Sequence, residues 1–195
     1  MINNSFTPFP LLTTERLTLR QLTPEDANEI FIMRSNENLA KYYVDDPKAY
    51  TLEKARKHID HLLNENTNNE WIVWGVTLKN QPRLIGSICL WNISVEHATG
   101  EIGYEFKPEY HGQGIAQEAL RKVTEYGFKT MKLCAIEAFP RSEHIASIKL
   151  LERNGFVKKE TFQTERELSG MEIYILDSHN YKCSHTPSKP TLFTN

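Results

Sequence analysis

Three strand-like runs follow one another in the middle of the chain, and they limit the possible folds more than any other feature. The runs Trp71–Leu78, Leu84–Trp91 and Gly100–Phe106 are rich in β-branched and aromatic residues, and turn residues such as Asn80 and Pro82 separate them. No helical pattern lies between them, which excludes a strict alternation of strands and helices around a parallel sheet. We therefore expect one α/β (α+β) domain, with a mixed central sheet of about seven strands flanked by about four helices.

Capping residues and apolar spacing predict the helices. Thr23 is expected to cap a helix with Pro24 at its first position, and Thr51 opens a second helix with one apolar face. Gly155 is expected to end the last of the four helices. The remaining predicted elements are strand 16–22, helix 114–129, strand 133–139, helix 143–154 and a hairpin of strands 156–163 and 171–176.

The two ends of the chain differ from the middle. Residues 1–12 contain Pro8 and Pro10 and are interpreted as an N-terminal arm. Residues 178–195 are polar and lack periodicity, so they are interpreted as a C-terminal tail. The domain itself then comprises residues 13–177.

Charge and cysteine usage argue against several classes of function. The chain has 23 Lys and Arg against 25 Asp and Glu, a net charge of −2, so no nucleic-acid partner is expected. No apolar run approaches the ~20 residues of a membrane helix. Cys89 and Cys134 lie in apolar runs and are expected to be buried. Together with Cys183 they form no metal-binding pattern. An odd number of scattered cysteines indicates a reducing environment and therefore a cytoplasmic protein. His58 and His61 lack a further ligand at a metal-binding spacing, so a solvated helix face and no metal are expected.

A glycine-rich turn between a strand and a helix is the most informative segment. In Tyr110–Gln117, Gly112 and Gly114 allow the chain to turn with its N–H groups pointing outward. The following helix adds unpaired amides and the positive end of its dipole, an arrangement that suits phosphate or pyrophosphate. No Lys-Ser/Thr pair and no third glycine follow, so the segment is neither a Walker A loop nor a dinucleotide fingerprint. A plain tight turn is the alternative.

Several blocks around this turn resemble the GCN5-related N-acetyltransferase (GNAT) superfamily, and within it the RimJ/RimL-type branch of ribosomal-protein alanine N-acetyltransferases. The superfamily motif Gln/Arg-x-x-Gly-x-Gly/Ala is matched by His111, Gly114 and Ala116. The resemblance covers about residues 13–176. The other blocks similar to this branch are Thr14–Leu22, Glu101–Tyr104 and His144–Phe156.

The resemblance implies an acetyl-CoA site in a V-shaped gap between two parallel strands, 100–106 and 133–139. The pantetheine is expected to bond to the main chain near Phe106 and Lys107, and the pyrophosphate to rest on the amides of residues 112–117. The cofactor-binding residues implied are Phe106, Lys107, His111, Gly112, Gln113, Gly114, Ile115, Ala116, Gln117, His144 and Ser147.

The chain departs from the family pattern at three positions. His111 replaces the Gln or Arg of the motif, and His144 replaces an Asn expected to bond the pantetheine. Leu151 occupies the position where many members place a Tyr that protonates the departing thiolate. The resemblance implies Ser147 as the catalytic group near the thioester sulfur, and a Ser bonded to its own helix backbone is the alternative.

Carboxylates on the predicted strands are candidates for the general base. Glu101 is the first choice, Glu105 lies on the same strand face, and Glu137 on the neighbouring strand is a third candidate. Solvated strand charges are the alternative. The resemblance also places the stretch containing Tyr42, Tyr43, Asp45 and Asp46 beside the acceptor pocket, where acidic side chains suit a cationic amine. An ordinary polar loop is the alternative, and the one that the residues favour.

Together these features predict an acetyl-CoA-dependent N-acetyltransferase, a monomer or homodimer. It would transfer the acetyl group to a primary amine, either a protein N-terminus or a small-molecule amine, by direct attack on the thioester. A non-catalytic acyl-CoA-binding or sensing module is the alternative, motivated by the two histidines and the missing tyrosine. A nucleotide-phosphate enzyme is disfavoured, because no Lys-Ser/Thr follows the glycines.

Overall fold

A computed structural model describes residues 2–37, 47–68, 71–159 and 170–184 of the chain. Its strands are β1 (Leu12–Thr13), β2 (Leu17–Gln21), β3 (Ile72–Leu78), β4 (Leu84–Ser94), β5 (Thr99–Phe106), β6 (Ala135–Ala138), β7 (Val157–Lys158) and β8 (Tyr174–Asp177). Its α-helices are α1 (Ala27–Arg34), α2 (Leu52–Asn68), α3 (Ile115–Tyr126), α4 (Ile145–Arg153) and α5 (Ser178–Ser184).

The described residues form one mixed sheet of eight strands, in the order β1-β2-β3-β4-β5-β6-β8-β7. Strands β5 and β6 pair in parallel, and every other neighbouring pair is antiparallel. The predicted mixed α/β domain is confirmed. The two elements beyond the predicted seven strands and four helices are β1 and α5, which are both short.

Helices cover both faces of the sheet. The core on one face contains α3 residues such as Leu120 together with Ile102 and Phe106 of β5. The core on the other face contains Ile30 of α1 and Ile59 of α2. We call these the α3/α4 face and the α1/α2 face, after the helices that cover them. Strand β3 is buried along almost its whole length because both of its sides are covered.

The predicted helix starts are found at local capping groups. Thr23 and Asp26 form a capping box on the 3-10 turn that leads into α1, with Pro24 at the first position. The Thr51 hydroxyl accepts a bond from the Lys54 N–H at 3.2 Å, at the start of α2. Gly155 follows α4 with a φ of +85°, the left-handed conformation expected of a C′ glycine.

The structure differs from three expectations, which concern the N-terminal arm, the C-terminal tail and the burial of Cys134. Phe6 in the N-terminal segment is only 3% exposed. At the other end, residues 178–184 are helical rather than aperiodic, because the ring of Tyr181 packs against Phe128 with centroids 4.8 Å apart. Cys134, expected to be buried, is exposed, since β6 begins one residue later. None of the described helices is both long and apolar enough to cross a membrane.

Candidate active site

A cavity opens where β5 and β6 separate. Their parallel pairing ends at Glu101 and Glu137, while β5 continues to Phe106 and β6 stops at Ala138. Among the described residues, the main chain of β5 beyond Glu101 therefore has no strand partner on this side, and its polar groups are available to an extended ligand. The cavity has a volume of about 870 Å³ and is lined by β5, the glycine turn and the first turns of α4. The predicted V-shaped gap is present.

The glycine turn forms one end of this cavity. Gly112 and Gly114 adopt φ values of +72° and +74°, and Gly114 is the N-cap of α3. The space that a Cβ would occupy at Gly112 is open, so a bulky anion can approach the main chain there. The N–H groups of the first helical residues lack carbonyl partners within the helix, as at any helix start. Of the predicted amides, those of Gly112, Gly114, Ile115, Ala116 and Gln117 belong to residues that line the cavity.

Gln113 lies outside the cavity wall, unlike its neighbours. Its side-chain amide donates to the Glu109 carbonyl at 2.6 Å, and its own carbonyl accepts a bond from Arg16 Nη1 at 2.9 Å. These bonds hold Gln113 away from the cavity. The predicted cofactor contact at this residue is therefore not supported by its position.

Lys107 is bonded to two neighbouring elements, β4 and α1. Its main-chain N–H donates to the Ile85 carbonyl at 3.0 Å, which extends the contact between β5 and β4. Its ammonium group is buried and forms an ion pair with Glu29 of α1. Lys107 does not line the cavity, and a pantetheine bond to the main chain near Phe106 and Lys107 stays a prediction. Phe106 does line the cavity, and its carbonyl already accepts a bond from His111 Nε2 at 2.9 Å.

The two unusual histidines both make local structural bonds. His111 Nε2 must donate its bond to Phe106, because a carbonyl oxygen only accepts. His144 is the N-cap of α4, and its Nδ1 accepts from the Ser147 N–H at 3.2 Å. In a neutral His144 ring the proton therefore resides on Nε2, which leaves one donor. Histidine at 144 thus performs the capping that an Asn side chain also performs.

A pair of hydroxyl groups lies on the α3/α4 side of the cavity. Ser147 Oγ and the Tyr104 hydroxyl are 2.8 Å apart, and both residues line the cavity. Burial raises the pKa of Tyr104 to about 12, although the bond to Ser147 acts in the opposite direction. Tyr104 therefore remains a protonated hydroxyl at neutral pH. Sequence reasoning did not identify Tyr104; strand alternation placed it on the face opposite Glu101 and Glu105, which was the available signal.

Glu101 faces the α1/α2 side of the same cavity. It is 4% exposed, and its Oε1 accepts a bond from Asn92 Nδ2 at 2.5 Å. Asn92 lies at an irregularity in β4 and has a φ of +48°, a conformation that Asn tolerates better than most residues. Glu137 is aligned with Glu101 in the parallel pair but does not line the cavity. The structure thus brings Glu101, rather than Glu137, to the gap.

Glu105 is occupied by an ion pair. Its carboxylate accepts two bonds from Arg34 of α1, both at 3.2 Å, and a third from the Ser87 hydroxyl at 3.1 Å. Burial lowers the pKa of Arg34, but the charge of Glu105 and the bond to it outweigh this effect, so the pKa lies above its ordinary value. The carboxylate of Glu105 therefore holds α1 against β5, whereas the carboxylate of Glu101 lies at the gap.

Of the two histidines of α2, His61 is exposed, as expected, whereas His58 is partly buried. Burial, followed by the charge of Arg34, lowers the pKa of His58 to about 4. The ring of His61 packs on Trp71 at a centroid distance of 6.2 Å, and Trp71 in turn contacts Trp91 of the cavity wall. No group of three metal-ligating side chains occurs in the described ranges. Tyr42, Tyr43, Asp45 and Asp46 lie outside the described residues.

Comparison with known proteins agrees with this geometry. The sequence matches the acetyltransferase (GNAT) domain family over residues 16–157. The uncharacterized N-acetyltransferase YoaA of Bacillus subtilis is 36% identical over 151 residues, which are 77% of this chain and 85% of YoaA. The spermidine N(1)-acetyltransferase of Vibrio cholerae is 27% identical over 168 residues, which are 84% of this chain and 94% of that enzyme.

A solved structure of related fold is the ribosomal-protein-S5-alanine acetyltransferase of Vibrio fischeri. Its TM-score is 0.73 at 24% identity, and the match covers 89% of this chain and 99% of that one. Structural neighbours of this kind confirm that the chain has the GNAT fold. With the family match over residues 16–157 and the splayed β5–β6 cavity, the chain belongs to the GNAT family of N-acetyltransferases.

Proposed function

We propose that this chain transfers an acetyl group from acetyl-CoA to a primary amine by direct attack of the amine on the thioester. The proposal rests on one observation: hydroxyl groups and a carboxylate lie on opposite sides of the β5–β6 gap. The hydroxyls of Ser147 and Tyr104 lie on one side of the sheet, and the carboxylate of Glu101 lies on the other. Amide formation needs both: a group that stabilises a leaving thiolate and a group that removes a proton from the amine.

The glycine turn fits the nucleotide end of acetyl-CoA. The residues that would hold the pyrophosphate are Gly112, Gly114, Ile115, Ala116 and Gln117, through main-chain N–H groups beside the positive end of α3. The open space at the Gly112 Cβ position allows the close approach that such bonds need. When bound, acetyl-CoA supplies an acetyl group activated as a thioester.

The hydroxyl pair is suited to stabilise a thiolate. Because Tyr104 keeps its proton, its O–H can donate to Ser147 Oγ, which then directs its own proton away from Tyr104. Both residues line the cavity, so Ser147 can offer this proton to sulfur. Ser147 is thus the proposed catalytic donor, and Tyr104 is a positioning residue that acts through it.

Glu101 is the proposed base. A primary amine with a pKa near 10 is mostly protonated at neutral pH, so the ammonium must lose a proton before its nitrogen can attack. A carboxylate at the gap, with one oxygen held by Asn92, can accept that proton directly or through one water molecule. The acceptor is therefore proposed to enter from the α1/α2 face.

The acceptor is proposed to be a cationic amine, either a protein N-terminus or a small-molecule amine, in the cytoplasm. The relatives named above include enzymes whose names specify spermidine and a ribosomal-protein alanine as acceptors. Both acceptors are primary amines. The full-length chain should be incubated with acetyl-CoA and either spermidine or a peptide with an N-terminal alanine, and the release of free CoA thiol followed. Turnover with one of them supports the proposal; CoA binding without turnover on any amine would favour a sensing module.

Replacement of Glu101 by Gln tests the proposed base. Glu101→Gln keeps the shape and the bond position beside Asn92 but removes the proton acceptor. The rate should fall at neutral pH and recover in part at high pH, where the free amine is already abundant. The measurement is kcat/KM for the amine against pH. Glu137→Gln is the matched control on the neighbouring strand, and its profile should follow that of the unchanged protein. An equal loss at every pH for Glu101→Gln would indicate a structural role.

A further inference from the structure

We infer that Arg16 is a positioning residue that fixes the direction of a main-chain N–H group in the glycine turn. The inference rests on the proposed function only in that the ligand at this turn is the pyrophosphate of CoA. Arg16 lies between β1 and β2, 97 positions before Gln113, and its Nη1 donates to the Gln113 carbonyl at 2.9 Å. Its Nη2 is 3.4 Å from the position of a Cβ at Gly114. The guanidinium therefore lies directly against the turn.

The bond to Gln113 orients the next peptide group. The Gln113 carbonyl and the Gly114 N–H belong to one planar trans peptide, so they point in opposite directions. Arg16 holds the carbonyl on the side away from the cavity, because Gln113 lies outside the cavity wall while Gly112 and Gly114 form part of it. The Gly114 N–H is consequently directed toward the cavity.

Glycines on both sides of Gln113 make such a restraint necessary. Gly112 and Gly114 both have positive φ values and no side chain that would limit rotation of the intervening peptides. Without a bond to the carbonyl, the peptide between Gln113 and Gly114 can rotate and turn its oxygen toward an anion. A carbonyl oxygen in that position repels a pyrophosphate, whereas an N–H group binds it.

Glu118 on the first turn of α3 holds Arg16 in place. Its carboxylate accepts bonds from Arg16 Nε at 2.6 Å and from the Arg16 main-chain N–H at 2.9 Å. Burial raises the pKa of Glu118, but bonds from Thr14 and Arg16 outweigh it, so the pKa lies below its ordinary value. Glu118 is thus an anion close to the turn, and Arg16 balances a charge that would otherwise repel the pyrophosphate.

The test compares CoA with pantetheine, which has no pyrophosphate. Calorimetry should measure the affinity of the full chain for CoA and for pantetheine, which lacks the nucleotide. Arg16→Gln should raise the Kd for CoA about tenfold, the effect of one misdirected bond to a charged group, and leave the Kd for pantetheine unchanged. Lys129→Gln is the matched control: Lys129 is also an exposed cation paired with a glutamate of α3, at 2.8 Å from Glu125. Its affinity for both ligands should stay unchanged.

A second variant guards against a loss of folding. Arg16→Lys keeps the positive charge beside Glu118 but cannot donate to both Glu118 and the Gln113 carbonyl in the same forked geometry. It should retain the thermal unfolding midpoint and still lose several-fold in CoA affinity. Unchanged CoA affinity in both variants, or an equal loss for pantetheine, would overturn the inference. Failure of the unchanged protein to bind CoA would instead overturn the proposed function, and the inference with it.

Discussion

The two faces of the sheet meet at one cavity, but they contribute different chemistry to it. The α3/α4 face presents neutral groups: main-chain amides of the glycine turn and the hydroxyls of Ser147 and Tyr104. The α1/α2 face presents the carboxylate of Glu101 and, behind it, the ion pair of Glu105 with Arg34. Neutral amides and hydroxyls leave no buried charge to compensate, whereas a buried charge needs an oppositely charged partner. The α1/α2 face should therefore dominate stability, and the α3/α4 face should dominate cofactor recognition.

The largest expected effect is the loss of the buried ion pair on the α1/α2 face. Arg34→Ala leaves Glu105 as a buried carboxylate without its cation and should lower the free energy of unfolding by about 3–5 kcal/mol. The side chains of Arg34 and Glu105 are 18% and 8% exposed, so water replaces little of the lost interaction. Denaturant titration measures the change. The control, Lys57→Gln, breaks an exposed pair with Glu53 and should cause no measurable loss. Equal effects in both variants would show that burial of the Arg34–Glu105 pair adds nothing to its contribution to stability.

The second effect is a pH dependence of stability that comes from His58. Burial lowers its pKa to about 4 in the folded chain, from an ordinary value of 6.5, beside Arg34, Glu105 and His61. The unfolded chain therefore binds more protons between these pH values, so stability falls as the pH falls through that window. The expected loss between pH 7.5 and pH 5 is about 2 kcal/mol.

Replacement of the histidine isolates this contribution. His58→Gln should remove that part of the pH dependence of the unfolding free energy, even if packing changes shift the whole curve. His97→Gln replaces an exposed histidine in the turn after β4 and should leave the pH dependence as it was. A His58→Gln curve parallel to that of the unchanged protein would show that His58 titrates alike in both states.

The smallest expected effect concerns the hydroxyl pair on the α3/α4 face. Ser147→Ala should lower kcat by about tenfold and leave the affinity for acetyl-CoA nearly intact, as expected of a supporting proton donor. Tyr104→Phe should reproduce most of this loss, and the double variant should add little, because the two hydroxyls act as a unit. Tyr126→Phe, on a tyrosine that packs edge-on against Trp74, is the control. A higher KM for acetyl-CoA at constant kcat would make Ser147 a binding residue.

Features that depend on residues close together in the sequence were predicted more accurately than features that depend on distant residues. Thr23, Thr51 and Gly155 were placed correctly, because a cap depends on residues a few positions away. The glycine turn was likewise predicted from neighbouring residues, although its bond from Arg16 comes from 97 positions away. The ion pair of Lys107 with Glu29 was not predicted, because Glu29 lies 78 positions earlier and no periodic pattern encodes such a pair. The burial of His58 was missed for the same reason.

The sequence by itself therefore determined the strands, the caps, the glycine turn and the family to which they belong. Local backbone preferences and side-chain periodicity are sufficient for these features. Only the tertiary structure decided the roles of similar side chains. Arg34 forms an ion pair with Glu105, whereas Glu101 lies at the gap with a bond from Asn92. Tyr104 forms a hydrogen bond with Ser147, which lies 43 positions later in the chain. The physical reason is that a carboxylate or a hydroxyl acquires its chemistry from the groups that surround it after folding, and burial and pairing are properties of the folded chain.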